Sequence, residues 1–512
     1  MEITVRKGRV EDTPADAVLL FHYEGEPKLA GAAATVDATL KGRLKDLMKS
    51  GEFTGRLGQV SVLHVAPGER LRAKRAVLVG LGKRKDVSLE KLRQATGTAA
   101  KATRALGAKS MAVPALDPAT HLTTLPSRSR LRDAAQSLVE GALLALYQFT
   151  TYRTERKDEL KPVRQMILVV SDPRALAEVQ QGARLGQIIG EATVFVRDLC
   201  NHPANVVTPT YIATEARKAA KERNVSCTVL DRPQMQRLGM GALLGVAQGS
   251  HEPPKFIVLE YRGGPRSERP VALVGKTVTF DSGGISLKPA DNMEQMKADM
   301  TGGAAVLAAV RAAARLRLPL NILAVIPATE NMPGGRATKP GDILKSLSGK
   351  TIEVINTDAE GRLILADGLA YATRYKPSVL VDIATLTGAC VVALGNHAIG
   401  VLGNNERLIG ELKTAGEQCG ERAWQLPLWE EYYDQIKSDV ADMKNTGGRP
   451  GGTITAAAFL SKFVGDAVWA HLDIASTDWS DRERAYIPKG ATGVGTRLLI
   501  QFLCNRANGK RR

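Results

Sequence analysis

The sequence predicts an α/β protein made of two α/β domains, a smaller N-terminal one and a larger C-terminal one. Three observations lead there. Short apolar runs alternate with helix-period patterns along the chain. A charged, weakly hydrophobic stretch at residues 151–164 interrupts the alternation and reads as a surface link. With 512 residues, the chain is long for one domain and suggests about two to four. The expected division is 1–165 for the N-terminal domain, 166–200 for a connecting strand and helix, and 201–512 for the C-terminal domain.

Taken in order, 60–65 and 76–80 are short apolar runs and read as strands. Residues 89–106 and 130–147 space their apolar positions as helices do. A strand at 165–170 leads into a long helix at 175–200. That helix ends near Asn201-His202-Pro203, where proline stops further winding. Strands are then expected at 227–230, 256–261, 271–274, 321–327, 351–355, 378–383 and 398–402. Helices such as 302–317 and 363–375 lie between them. No internal repeat or low-complexity tract is visible, and 508–512 reads as a loose basic tail.

Composition narrows the function classes. Hydrophobic residues at 44% and charged residues at 24% are ordinary for a globular chain with a large core. The formal net charge is +17, which points toward nucleic acid or a membrane surface. Aromatic residues make up only 4%, leaving few platforms for stacking bases. The excess is uneven: residues 1–170 hold 29 Lys and Arg against 18 Asp and Glu, and the remainder 41 against 35. No apolar run is long enough for a transmembrane helix, and no membrane partner is expected. The N-terminus has no apolar core followed by a cleavage site, so no signal or transit peptide is expected. Five cysteines without a C-x-x-C pair suit free thiols in a reducing cytoplasm.

Two glycine motifs are decoys. Gly275-Lys276-Thr277 resembles the end of a phosphate-binding loop, but Pro270 stands where that loop needs glycine. Extended residues follow instead of a helix. Gly80-Leu81-Gly82 lacks a third glycine and reads as a tight turn after a strand.

The chemistry gathers elsewhere, at strand ends. One segment carries Lys276, Asp281, Gly283-Gly284 and Lys288, and continues to Lys297-Ala298-Asp299. The other is Asn356-Thr357-Asp358-Ala359-Glu360-Gly361-Arg362-Leu363, whose extended alternation turns Asp358, Glu360 and Arg362 to one side. Any one of these charges alone would be a solvated surface group. Carboxylates converging beside a buried strand need cations. Hard divalent metals answer that need: oxygen ligands suit Mg or Mn, with Zn also compatible. No histidine lies in these segments, so a histidine-built zinc site is not indicated. Two metals sharing carboxylates would form a hydrolytic clamp.

These segments resemble the leucyl (cytosol) aminopeptidase family of metallopeptidases. The string from Asn356 to Leu363 matches the family's signature octapeptide at every position. Arg197-Asp198-Leu199-Cys200-Asn201, Gly239-Met240-Gly241-Ala242, Thr385-Leu386-Thr387-Gly388-Ala389, Gly451-Gly452-Thr453 and His471-Leu472-Asp473 also fit. The likeness covers 165–505 well and the N-terminal third loosely.

The resemblance implies a two-metal aminopeptidase that removes N-terminal residues, preferably leucine and other apolar ones, from peptides with a free N-terminus. It implies a catalytic domain with a central mixed sheet flanked by helices, a homohexamer of two trimers and a cytoplasmic location. It places the metal ligands on Lys276, Asp281, Asp299, Asp358 and Glu360, and the catalytic residues on Lys288 and Arg362. It assigns Met296, Thr385, Gly388 and Ala475 to the substrate pocket, although core packing suits Met296 nearly as well. The implied cofactors are two divalent ions, Mn, Zn or Mg, and a bicarbonate held by Arg362.

The chemistry of that assignment is coherent. Lysine ligates a metal only as the neutral amine, and two adjacent dications would depress its pKa. Asp281 and Glu360 would bridge, with Asp299 and Asp358 completing one site each. A water bridging the ions would lose a proton near neutral pH and attack the peptide carbonyl. Binding of the substrate's free α-amine to one ion would explain cleavage from the end. Lys288 would stabilise the tetrahedral oxyanion, a role typically worth about 2.7–4 kcal/mol. A planar guanidinium at Arg362 suits a planar oxyanion that shuttles the proton.

Two positions depart from the family pattern: Thr277 and Ser476 both stand where glycine is usual. The first would narrow the site or alter metal exchange; the second bears on residue preference. His202, His397 and His471 read as structural histidines, and Cys390 as core. A second reading, DNA binding or regulation through the basic N-terminal domain, would be backbone-led and salt-sensitive, since no helix-turn-helix or zinc-finger pattern appears.

Overall fold

A computed structural model describes residues 1–116, 121–123, 130–155 and 160–509. Part of the charged stretch at 151–164 (156–159) and part of the basic tail (510–512) lie outside the described residues. The chain forms two units: Met1–Glu191 with Arg482–Lys489, and Ala192–Asp481 with Gly490–Arg512.

The first unit is built on a six-stranded sheet. Its strands are β1 (Glu2–Lys7), β2 (Ala17–His22), β3 (Val60–His64), β4 (Arg75–Gly80), β5 (Ser110–Pro114) and β6 (Gln165–Val170). Their order is β1-β6-β5-β2-β4-β3, parallel except for β3 against β4. Both faces are covered. Leu19, Phe21, Val77 and Val79 face the helices Leu89–Ala105 and Arg130–Ala145. Val18, Leu20, Ala76 and Leu78 join the core beneath Gly31–Thr39 and Arg43–Lys49. Burial on two faces is why all six residues of β2 are apolar or enclosed. Ser88 caps the helix Leu89–Ala105 by accepting a hydrogen bond from the Lys91 N–H at 3.2 Å. The sequence reading places no element on β1, β2, β5 or the helices before residue 50. The strand at 165–170, assigned there to the connecting segment, pairs with β1 and β5.

The second unit holds a mixed sheet. Its strands are β7 (Val225–Leu230), β8 (Lys255–Arg262), β9 (Val271–Gly275), β10 (Thr277–Asp281), β11 (Asn321–Asn331), β14 (Val379–Ala384), β15 (Ile399–Gly403), β16 (Ala423–Gln425) and β18 (Trp469–Asp473). A separate ribbon contains β12 (Ile343–Lys345), β13 (Thr351–Glu353) and β17 (Met443–Lys444). The main order is β16-β15-β18-β14-β9-β11-β8-β7, with β10 also on β11. The central strands β18, β14, β9 and β11 run parallel, and β15 and β8 flank them antiparallel. The helix Thr301–Leu316 packs on one face, and Gly361–Thr373 with Gly452–Ser461 bury the other. This is the expected larger α/β domain with a mixed sheet flanked by helices.

Topology places the site. Parallel strands β9, β14 and β18 end together at Gly275, Ala384 and Asp473, the edge where open α/β sheets collect ligands. Strand β13 feeds the loop 354–360, which leads into the helix Gly361–Thr373.

Candidate metal centre and active site

Lys276 occupies the break between β9 and β10, where its N–H donates to the Ile383 carbonyl at 3.1 Å. Its side chain is 4% exposed. Nζ lies 2.8 Å from both Asp299 Oδ1 and Glu360 Oε1, and donates to the Thr385 carbonyl at 2.8 Å. Gly361 has to be glycine for this approach: a Cβ there would lie 2.7–2.8 Å from Lys276 Cδ, Cε and Nζ.

Asp281 ends β10. Its Oδ1 accepts from the Gly283 N–H at 3.0 Å and from Asn331 Nδ2 at 2.8 Å, and its Oδ2 lies 2.8 Å from Lys288 Nζ. Lys288 also pairs with Asp358. Asp299, just before the helix Thr301–Leu316, accepts from Thr385 Oγ1 at 2.6 Å. Oxygens of Asp281, Asp358 and Glu360 lie within 4.8 Å of one another. Every proposed ligand is therefore in one cluster with Lys288.

Electrostatics follow from that enclosure. Burial pushes the Asp299, Glu360 and Asp358 carboxyls above their ordinary values. Burial works against the Lys276 ammonium, but the facing carboxylates, Asp299 first, outweigh it and raise its pKa. Lys288 follows the same pattern, with Asp281 the strongest carboxylate. Asp299 Oδ2, Asp358 Oδ1 and Glu360 Oε1 are buried and accept no hydrogen bond of proper geometry. The last two do lie beside lysine ammonium groups, so their interaction is ionic without directional bonding. Unsaturated carboxylate oxygens around an amine form a donor set that fits hard or borderline divalent cations.

Arg362 is 6% exposed, and its Nη1 donates to the Asn445 carbonyl at 2.8 Å. Its buried Nε has no hydrogen-bond partner. Burial lowers the guanidinium to about 10 against the pull of Glu360 and Asp473. Of the residues expected to line the substrate pocket, Thr385 adjoins Asp299, and Met296 lies one short turn before it. Gly388 faces open space at the Cβ position. Asp473 Oδ1 accepts from the Leu386 and Ala475 N–H groups at 3.2 Å each, holding the segments that carry Gly388 and Ala475 side by side.

The departures from the family pattern have local explanations. Thr277 is fully buried and donates to the Gly275 carbonyl at 3.1 Å. It lies against Gly303, where a Cβ would come within 1.8 Å of its hydroxyl. Its bulk is thus taken up by the helix Thr301–Leu316. Ser476 donates to the Ala398 carbonyl at 2.7 Å. Cys390 is buried. His471 is enclosed with Nδ1 at 2.6 Å from Asp382, His202 is half-buried and His397 is exposed.

Sequence reasoning missed Asn331 and Asn445, two buried asparagines outside the matched segments. Asn331 bonds Asp281 and the Thr357 carbonyl; Asn445 bonds the backbone of Ile355, Asn356 and Ala359. Nothing in their own neighbourhoods in the sequence marks them.

Comparison with known proteins bears on this geometry. The model of the cytosol aminopeptidase family catalytic domain matches residues 194–500, and that of the family's N-terminal domain matches 17–156. A Geobacter sp. (strain M21) protein named a probable cytosol aminopeptidase is 51% identical over 468 residues, covering 91% of this chain and 92% of its own. Its namesake from Geobacter sulfurreducens is 47% identical, covering 98% and 99%. Among solved structures, a mutant of tomato leucine aminopeptidase superposes with a TM-score of 0.85 at 33% identity, covering 99% of this chain and 96% of that one. The bottromycin maturation enzyme BotP in complex with Mn gives 0.83 at 35% identity, covering 96% and 100%.

Proposed function

Because the chain belongs to the cytosol aminopeptidase family and is a metallo-aminopeptidase, we propose that it removes apolar residues, leucine foremost, from peptide N-termini with two divalent ions. The convergence of Asp281, Asp358 and Glu360 within 4.8 Å, with Lys276 and Asp299 adjoining, carries this reading. Lys276, Asp281, Asp299, Asp358 and Glu360 would hold the ions. When bound, these supply Lewis acidity and a water acidified toward neutral pH.

The remaining steps belong to the chain's own residues. Lys288, 21% exposed at its side chain and paired with Asp281, would donate to the developing oxyanion. Arg362 has an unbonded Nε beside the cluster, a donor suited to a small planar anion such as bicarbonate. Met296, Thr385, Gly388 and Ala475 would line the side-chain pocket, and the open space at the Gly388 Cβ position supports room for an apolar side chain.

The test is hydrolysis of a leucine chromogenic amide with added Mn, Mg or Zn, alongside a panel of N-terminal residues. Activity should need the metal and vanish in Asp358→Ala. Full activity in that variant overturns the ligand assignment.

A further inference from the structure

We propose that Asn331 is a positioning residue for Asp281: it fixes which oxygen that carboxylate presents to a divalent ion and ties it to the loop bearing Asp358 and Glu360. This rests on the two-metal reading above. Asn331 is the last residue of β11 and is 4% exposed. Its Nδ2 donates to Asp281 Oδ1 at 2.8 Å and to the Thr357 carbonyl at 3.1 Å. Both targets are acceptors, so only the NH2 end of the amide fits there. The Gly283 N–H donates to the same Oδ1 at 3.0 Å. Two donors thus saturate Oδ1, and Oδ2 is left facing cationic charge, here the Lys288 ammonium at 2.8 Å.

The backbone locks the arrangement from the other side. The Asn331 carbonyl accepts from the Ser282 N–H at 3.0 Å and from Ser282 Oγ at 2.8 Å. The turn 281–284 is thereby pinned to the end of β11. Gly284 leaves room for the amide: a Cβ there would lie 2.8 Å from Asn331 Oδ1. The amide is buried, and its two hydrogen bonds fix which way it points. Aspartate cannot replace it, because a carboxylate would face two acceptors. Losing such an outer hydrogen bond typically weakens metal affinity by about 10–100-fold.

The experiment is a Mn titration, read by the EPR signal of free Mn, on the wild type, Asn331→Ala, Asn331→Ser and Asp281→Asn. Both Asn331 variants should bind at least one ion about 10–100-fold more weakly and regain hydrolysis when Mn is raised. Wild-type Mn affinity in a folded Asn331 variant, with binding lost in Asp281→Asn, overturns the proposal. So does lost activity that excess Mn does not restore, or failure of both variants to fold by circular dichroism, since the amide would then serve the fold. If Asp281→Asn itself keeps Mn at wild-type affinity, the assignment of Asp281 as a ligand fails instead, and if the wild type binds fewer than two Mn, the two-metal reading fails.

Discussion

Asn445→Ala should loosen the loop that carries Asp358 and Glu360. Asn445 is fully buried and follows β17 directly. Its Oδ1 accepts from the Ile355 N–H at 2.8 Å and the Asn356 N–H at 3.3 Å. Its Nδ2 donates to the carbonyls of Asn356 at 2.7 Å and Ala359 at 3.3 Å. The two short bonds carry most of the effect, and the two long ones little. Alanine leaves the loop groups without these partners, at about 1–3 kcal/mol for each buried group. Ile355 is 42% exposed, so water can replace part of the loss. A sum of about 2–3 kcal/mol is reasonable, which is roughly 30- to 150-fold in local opening. Hydrogen exchange by mass spectrometry on a peptide spanning 353–360 reads this directly. Asn445→Asp separates the two halves of the clamp. It keeps the acceptors for Ile355 and Asn356 but turns an oxygen toward two carbonyls, so exchange should rise mainly near Ala359. Exchange in Asn445→Ala within about threefold of wild type would refute the reasoning.

Three further outcomes are expected. Gly361→Ala pushes the flexible end of Lys276 aside, so kcat/KM should fall about 100-fold while the melting temperature hardly moves; wild-type kinetics would contradict this. Asp367 is fully buried and accepts from the Leu243 N–H at 2.8 Å and the Leu347 N–H at 2.7 Å. Asp367→Ala should therefore cost about 2–4 kcal/mol in urea denaturation, and a loss under about 0.5 kcal/mol would count against it. Burial pushes the Asp478 carboxyl from 3.8 up to about 7. The folded chain then holds a proton that the unfolded chain has released, so stability from this group falls as pH rises from 3.8 through about 7. The melting temperature of Asp478→Asn should lack that decline between pH 5 and 8, and identical slopes in both proteins would contradict it.

The reacting cluster was legible because its members lie in two short segments at strand ends, with Lys276, Asp281 and Lys288 in one and Asp358, Glu360 and Arg362 in the other. The extended alternation expected over 358–362 does not form: residues 357–358 make a turn, Glu360 has helical backbone angles and Arg362 lies in the helix Gly361–Thr373, so a loop and a helix start bring the three together. What supports them was not legible. Asn331 and Asn445 arrive from β11 and from beyond β17, and only the sheet and ribbon bring them to the loop. Thr277 and Gly303 show the same limit: the larger residue is accommodated because a glycine on another element makes room for it. In the first unit, β2 is a short apolar run enclosed on both faces, so it lacks the alternation that marks a half-buried strand. Strand β1 has the opposite difficulty, being half-exposed at the sheet's edge with charged residues at both ends.

The central claim is that Asp281, Asp358 and Glu360, with Lys276 and Asp299, hold two ions needed for hydrolysis. The most direct measurement counts Mn bound per chain while following leucine amide hydrolysis, in the wild type and in Glu360→Gln. The account predicts two ions per wild-type chain, activity that rises with their binding, and loss of both in Glu360→Gln. A metal-free chain that hydrolyses the substrate at the full rate would contradict it.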